Sequence, residues 1–218
     1  MDQALNAIRK DKLIVIVRRI PETQILSLAQ AIFDGGLRCI EVTFDHSCPG
    51  GIEDSLRCAH LLADNFGDRM CIGMGTTLTP EEVRMAKDAG AKYIISPDTC
   101  PQVIAETKKQ GLVSIPGAMT PTEIRTAYDL GADIVKLFPA FSLGPDFVRA
   151  MQGPLPHIPL LVAGGVTPDN IGAYLNAGAV GAGCIGNLVN RQWMDAGEFK
   201  KITETARMYV SAIRSATE

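Results

Sequence analysis

The sequence predicts an α/β protein, a closed (β/α)8 barrel of the TIM type with a leading and a trailing helix, on three observations. Short β-branched runs alternate with amphipathic stretches of about ten to fifteen residues along the whole chain. Glycine punctuates the joints between stretch and run, at Gly35-Gly36, Gly90-Ala91, Gly111-Leu112, Gly131-Ala132 and Gly178-Ala179. A left-handed residue commonly ends a helix, and glycine takes that conformation without a Cβ penalty. Third, the first strand runs into Arg18-Arg19-Ile20-Pro21 and not into Gly-x-Gly-x-x-Gly, which argues against an open dinucleotide-binding sheet. Eight strands alternating with helices in this length then favour the closed ring.

In chain order, residues 2–10 read as a leading helix, and strands follow at 13–17, 39–42, 71–74, 93–95, 113–115, 134–137, 160–162 and 180–183. Helices fall between them near 23–34, 52–66, 80–89, 101–110, 121–130, 145–151 and 168–177, with a terminal helix over 198–215. Thr79-Pro80-Glu81-Glu82, Thr120-Pro121-Thr122-Glu123 and Thr167-Pro168-Asp169 each put a capping residue before a proline suited to the first helical position. No low-complexity tract or linker divides the chain, so residues 1–218 read as one domain.

Composition excludes several classes. A hydrophobic share of 46% and a charged share of 21% are those of an ordinary globular protein. No apolar run is long enough for a membrane span, and the first ten residues lack the apolar core of an export signal, so a cytoplasmic protein is expected. Net charge is −3, with basic residues dispersed and aromatics at 6%, which disfavours nucleic acid as a partner. The six cysteines contain no Cys-x-x-Cys and read as small buried hydrophobes. With three histidines, none paired at helical spacing, no metal site is expected.

Two charges interrupt strands that are otherwise apolar. Lys136 lies in Asp133-Ile-Val-Lys-Leu-Phe-Pro139, and Glu41 in Cys39-Ile-Glu-Val-Thr-Phe44. Burial pushes a lysine pKa down toward the range in which its neutral amine attacks a carbonyl. A nearby carboxylate with a raised pKa then shuttles the protons such chemistry needs. A structural ion pair, or a lysine whose head reaches solvent, is the competing reading of the same residues. In a barrel the C-terminal strand ends converge on one face, and these ends carry Arg18-Arg19, Glu41, Gly73-Met-Gly-Thr76, Ser96-Pro97, Lys136, Gly164-Gly165 and Gly183-Cys-Ile-Gly-Asn187. Glycines after strands seven and eight stand where such barrels hold phosphate on backbone N–H groups. Tight turns alone are the alternative for those glycines.

With these residues in place the sequence resembles the class I 2-keto-3-deoxy-6-phosphogluconate (KDPG) aldolases, also called 4-hydroxy-2-oxoglutarate (KHG) aldolases. The resemblance covers nearly the whole chain and rests on Ile40-Glu-Val-Thr43, Gly73-Met-Gly-Thr76, Ile95-Ser-Pro97, Ile115-Pro-Gly-Ala-Met-Thr-Pro121, Val135-Lys-Leu-Phe-Pro-Ala140 and Gly164-Gly-Val166. It implies that Lys136 is the Schiff-base lysine and Glu41 the general acid/base. It further implies that Thr76, Pro97 and Phe138 shape the pocket for the pyruvate half and that Arg18 meets its carboxylate. Backbone at Gly164, Gly165 and Gly186 would face phosphate. A homotrimer that uses no metal or cofactor beyond the covalent lysine imine, acting on a small keto acid, is the remaining implication.

Three positions depart from the family pattern. An arginine usual four residues after the glutamate is Asp45 here, followed by His46; the threonine before Gly-Gly is Ala163; and the last loop, Cys184-Ile-Gly-Asn-Leu-Val189, lacks a clear serine. An aspartate repels an anion that an arginine would clamp. Asp45 and Asn187 therefore bear on which aldehyde half is accepted, including the galactonate epimer or glyoxylate. Two other readings stay open: an isomerase or decarboxylase using a charged Lys136 electrostatically, and a silent aldolase-like binding protein.

Overall fold

The computed structural model describes residues 1–217. Its strands are β1 (Leu13–Val17), β2 (Cys39–Thr43), β3 (Cys71–Gly75), β4 (Tyr93–Ile95), β5 (Val113–Ile115), β6 (Gly117–Ala118), β7 (Val135–Leu137), β8 (Leu160–Ala163) and β9 (Gly181–Cys184). They form one sheet in the order β5-β4-β3-β2-β1-β9-β8-β7-β6, and every pairing is parallel.

Nine strands arise from eight courses of chain because Pro116 interrupts the fifth. Proline has no N–H to give a ladder, so the strand breaks there. Its first half, β5, pairs with β4 through Tyr93↔Val113, and its second half, β6, pairs with β7 through Gly117↔Lys136. The Lys136 N–H donates to the Pro116 carbonyl at 2.8 Å, and Asp133 N–H donates to Ser114 O at 3.0 Å. One interrupted course thus joins both edges and brings the sheet round into a nearly closed barrel.

Around it run α1 (Asp2–Asp11), α2 (Glu22–Asp34), α3 (Gly51–Phe66), α4 (Pro80–Asp88), α5 (Pro101–Lys109), α6 (Pro121–Asp129), α7 (Gly144–Met151), α8 (Ile171–Asn176), α9 (Arg191–Asp195) and α10 (Phe199–Thr217). Thr79 caps α4 by accepting from Glu82 N–H at 3.2 Å, and Thr120 and Glu123 form a reciprocal capping box on α6. The third predicted cap does not start its helix. Asn170 Oδ1 accepts from Thr167 N–H at 2.8 Å and its amide donates to Gly165 O at 2.8 Å, so this stretch is held as a turn and α8 begins at Ile171. Helix α9 and a 3-10 turn at Ala140–Ser142 add to the predicted elements.

Alternation along the strands splits the apolar residues between two cores. Leu13, Val15, Ile40, Val42, Ile72 and Met74 face the helices, whereas Ile14, Cys39, Cys71, Tyr93, Val113, Ile134 and Leu161 fill the barrel interior. Ala4 and Ile8 of α1 join that interior core and plug its N-terminal end. Fully burying a side chain such as Ile8 contributes about 1.5–3 kcal/mol. With one end stoppered, solvent reaches the interior from the other, where the polar strand ends lie.

Candidate active site

Glu41 and Lys136 both point into the barrel, and they are 2% and 8% exposed. Space for the carboxylate comes from the next strand: a Cβ on Gly75 would stand 1.6 Å from Glu41 Oε1. Below it, a Cβ on Gly73 would stand 2.1 Å from the Tyr93 ring, and Tyr93 donates its hydroxyl to Ile40 O at 2.7 Å. The glycines of Gly73-Met-Gly-Thr76 are therefore vacated positions on the inward face of β3. Tyr93 fills one and Glu41 fills the other.

A cavity of about 530 Å³ opens above this layer. Every predicted site residue lines it: Arg18, Glu41, Thr76, Pro97, Lys136, Phe138, Gly164, Gly165 and Gly186. Adjacent strand residues face opposite ways, so only one of Arg18 and Arg19 is expected to enter. Arg18 does, its Nη2 donating to Thr76 Oγ1 at 3.3 Å, while Arg19 has φ 55° and pairs outside with Asp45 at 3.2 Å. Thr76 also has a left-handed φ of 55°, a conformation that costs a non-glycine residue energy and clusters at functional sites. Thr167 lines the cavity as well and was missed, although it lies two residues past Gly164-Gly165. Ala163 and Asn187, two of the departures from the family pattern, face the cavity too.

The electrostatics suit proton transfer. Burial raises the Glu41 pKa above its ordinary value, against the pull of Lys136 and Arg18. Burial likewise lowers the Lys136 pKa; Glu41 opposes this and Arg18 adds to it. Glu41 Oε2 is buried without a hydrogen-bond partner, so it retains accepting capacity for a ligand or water. Lys136 Nζ stands 4.9 Å from the Phe138 ring centroid, which places an aromatic wall beside the amine.

Asp45 behaves differently from the expectation that it would repel an anion in the site. It is not among the residues lining the Lys136 cavity, and its Oδ1 accepts from Ser47 N–H at 3.0 Å and Ser47 Oγ at 2.6 Å. Those bonds, with Arg19 alongside, bring its pKa to about 2. At the opposite side of the cavity Gly164 and Gly165 have φ 93° and 76°, and Gly186 has no atom within 4 Å of where a Cβ would be. Gly186 thus offers open backbone of the kind that admits an anion closely, while Gly164 and Gly165 stand against the Phe138 and Phe141 side chains.

The model of the KDPG and KHG aldolase family matches residues 5–205. The chain belongs to that family. Membership makes it a lyase of the aldolase type. Over 208 residues it is 32% identical to 2-dehydro-3-deoxy-6-phosphogalactonate aldolase of Escherichia coli K12, covering 94% of this chain and 96% of that one. Identity to 2-dehydro-3-deoxy-phosphogluconate aldolase of Treponema pallidum is 31%, covering 92% and 91%. Among solved structures, Legionella pneumophila KDPG aldolase superposes with a TM-score of 0.84 at 26% identity, covering 94% of this chain and 97% of its own. That crystal holds pyruvate captured at low pH as a covalent carbinolamine intermediate. No helix among the described residues is long and apolar enough to cross a membrane.

Proposed function

We propose that Lys136 is the imine-forming lysine of this aldolase and Glu41 its proton shuttle, acting on a phosphorylated 2-keto-3-deoxy sugar acid. One observation carries the assignment: a buried amine with a lowered pKa shares a cavity with a buried carboxylate whose Oε2 has no partner. Neutral Nζ attacks the C2 carbonyl to give a carbinolamine, and Glu41, partly through water, assists loss of water to the iminium. The iminium draws the C3–C4 bonding electrons as the C4 hydroxyl gives up its proton, so an aldehyde departs and an enamine remains. Protonation of the enamine at C3 and hydrolysis release pyruvate and restore the amine.

Arg18 supplies the cation for the pyruvate carboxylate, and Thr76, Pro97 and Phe138 enclose the three-carbon half. Gly164, Gly165 and Gly186 receive the phosphate of the departing glyceraldehyde 3-phosphate. The imine is the electron sink throughout, so the steps call on no cofactor or metal. Cleavage of 4-hydroxy-2-oxoglutarate to pyruvate and glyoxylate uses the same groups. The C4 epimer of the galactonate series is a second substrate reading, consistent with the phosphogalactonate aldolase relative. A cytoplasmic homotrimer completes the proposal, and light scattering giving the mass of three chains tests the assembly.

The deciding experiment measures pyruvate release from the two phosphorylated C4 epimers and from 4-hydroxy-2-oxoglutarate. Cleavage of a phosphorylated epimer that vanishes in Lys136→Arg is expected. Retained turnover in Lys136→Arg would instead favour a charged lysine stabilising an enolate.

A further inference from the structure

We propose that Cys71 and Cys39 form a peroxide-oxidisable dithiol on the floor of the barrel, in which Cys71 is oxidised first and Cys39 closes a disulfide. The two are direct register partners on β3 and β2, and both belong to the interior core beneath Ala4 and Ile8 of α1. Neighbouring strands lie about 4.8 Å apart, inside the Cα separation of roughly 4.4–6.8 Å that a disulfide spans. Both thiols are free.

Only one of the two meets a cavity. Cys71 lines a space of about 540 Å³ at the N-terminal end of the barrel, separate from the Lys136 cavity, with Lys10, Arg38, Lys87 and Lys92 around it. Cys39 is fully buried behind it. A hydrogen bond from the Cys39 thiol lowers the Cys71 pKa, and Lys92 adds to this against burial and the nearby Asp11 of α1. The same bond, with burial, pushes the Cys39 thiol well up. A cavity-lining thiol of lowered pKa beside a fully enclosed one of raised pKa is the arrangement of an attacking and a resolving cysteine.

The remaining cysteines lack this combination. Burial raises Cys58 to about 11 and Cys184 to about 12. The exposed Cys48 thiol donates to the Asp45 carboxylate at 3.7 Å. Cys100 Sγ donates to Gln102 Oε1 at 3.2 Å.

In the first step the Cys71 thiolate attacks one oxygen of hydrogen peroxide. The O–O bond breaks, giving a sulfenic acid and hydroxide. Cys39 sulfur then attacks the Cys71 sulfur, the S–O bond breaks, and the hydroxyl leaves as water with the Cys39 proton. Two thiols are oxidised by two electrons, and the peroxide is reduced to water.

Equimolar hydrogen peroxide on the intact protein, alkylation of free thiols and mapping of non-reduced peptides tests this directly. A linked Cys39–Cys71 peptide, formed before any change at Cys48 or Cys100 and reversed by dithiothreitol, is the expected result. In Cys39→Ser, checked as folded by circular dichroism, dimedone should label Cys71; in Cys71→Ser neither product should form. Oxidation confined to Cys48 and Cys100, or a Cys71 sulfenic acid that persists beside an unreacted Cys39 in the native chain, would overturn the proposal. The readout is thiol chemistry alone, so it stands or falls independently of the aldolase assignment.

Discussion

Gly75→Ala tests the placement of the Glu41 carboxylate. The added methyl would lie 1.6 Å from Oε1 and 2.4 Å from the carboxyl carbon. Restoring ordinary contact requires the carboxylate to withdraw by roughly 1.5–2 Å. Gly75 is an interior strand residue without a left-handed φ, so alanine suits its backbone and the strain falls on Glu41. Displacing a catalytic group by this much lowers kcat by about 10²-fold, equivalent to about 2.7 kcal/mol of barrier. Steady-state pyruvate release measures the loss, with circular dichroism to establish the fold and borohydride trapping to establish that Lys136 still reacts. A folded Gly75→Ala protein with kcat within about threefold of the parent would refute the idea that the carboxylate works from this position.

Replacing the buried charges together, Glu41→Gln with Lys136→Met, should abolish turnover yet leave stability unchanged or raise it by about 1–4 kcal/mol in urea unfolding. For pH, the depressed Lys136 pKa means imine formation accelerates as pH rises through a value below the ordinary 10.5. Between that folded pKa and 10.5 the unfolded chain binds more protons, so stability rises with pH across the window. Glu41 acts oppositely, its contribution falling as pH rises from 4.5 through its raised folded pKa; urea titrations in both windows check the signs. Gly165→Ala, with φ 76° and a Cβ 2.7 Å from that of Phe141, should raise KM for the phosphorylated aldehyde in the condensation direction and leave glyoxylate little changed. Tyr93→Phe removes the hydroxyl that satisfies Ile40 O and should lower stability by about 1–3 kcal/mol in thermal unfolding.

The candidate site was legible where a charge broke an apolar strand. Lys136 and Glu41 stand out against β-branched neighbours, and strand periodicity with barrel geometry then sends their side chains to one interior. Roles that depend on a third strand were not legible. The vacancy at Gly73 makes sense only once the Tyr93 ring reaches over β3 toward Ile40, a contact between residues 53 apart, and the one at Gly75 only once the Glu41 carboxylate lies over it. Arg18 and Arg19 could not be separated because the choice rests on the left-handed backbone at Arg19, which turns its side chain out to Asp45. Asp45 itself was misjudged for the same reason, since Ser47 and Arg19 already hold its charge outside the cavity. At Thr167 the expected cap is not made: its N–H bonds to Asn170 Oδ1, its hydroxyl accepts from no helix N–H, and the helix begins at Ile171.

The central claim is that Lys136 forms an imine with pyruvate, and borohydride reduction with peptide mapping addresses it most directly. A reduced pyruvate adduct on Lys136, absent without pyruvate and absent in Lys136→Met, is the predicted result. An adduct on another lysine, or none on folded protein saturated with pyruvate, would contradict it.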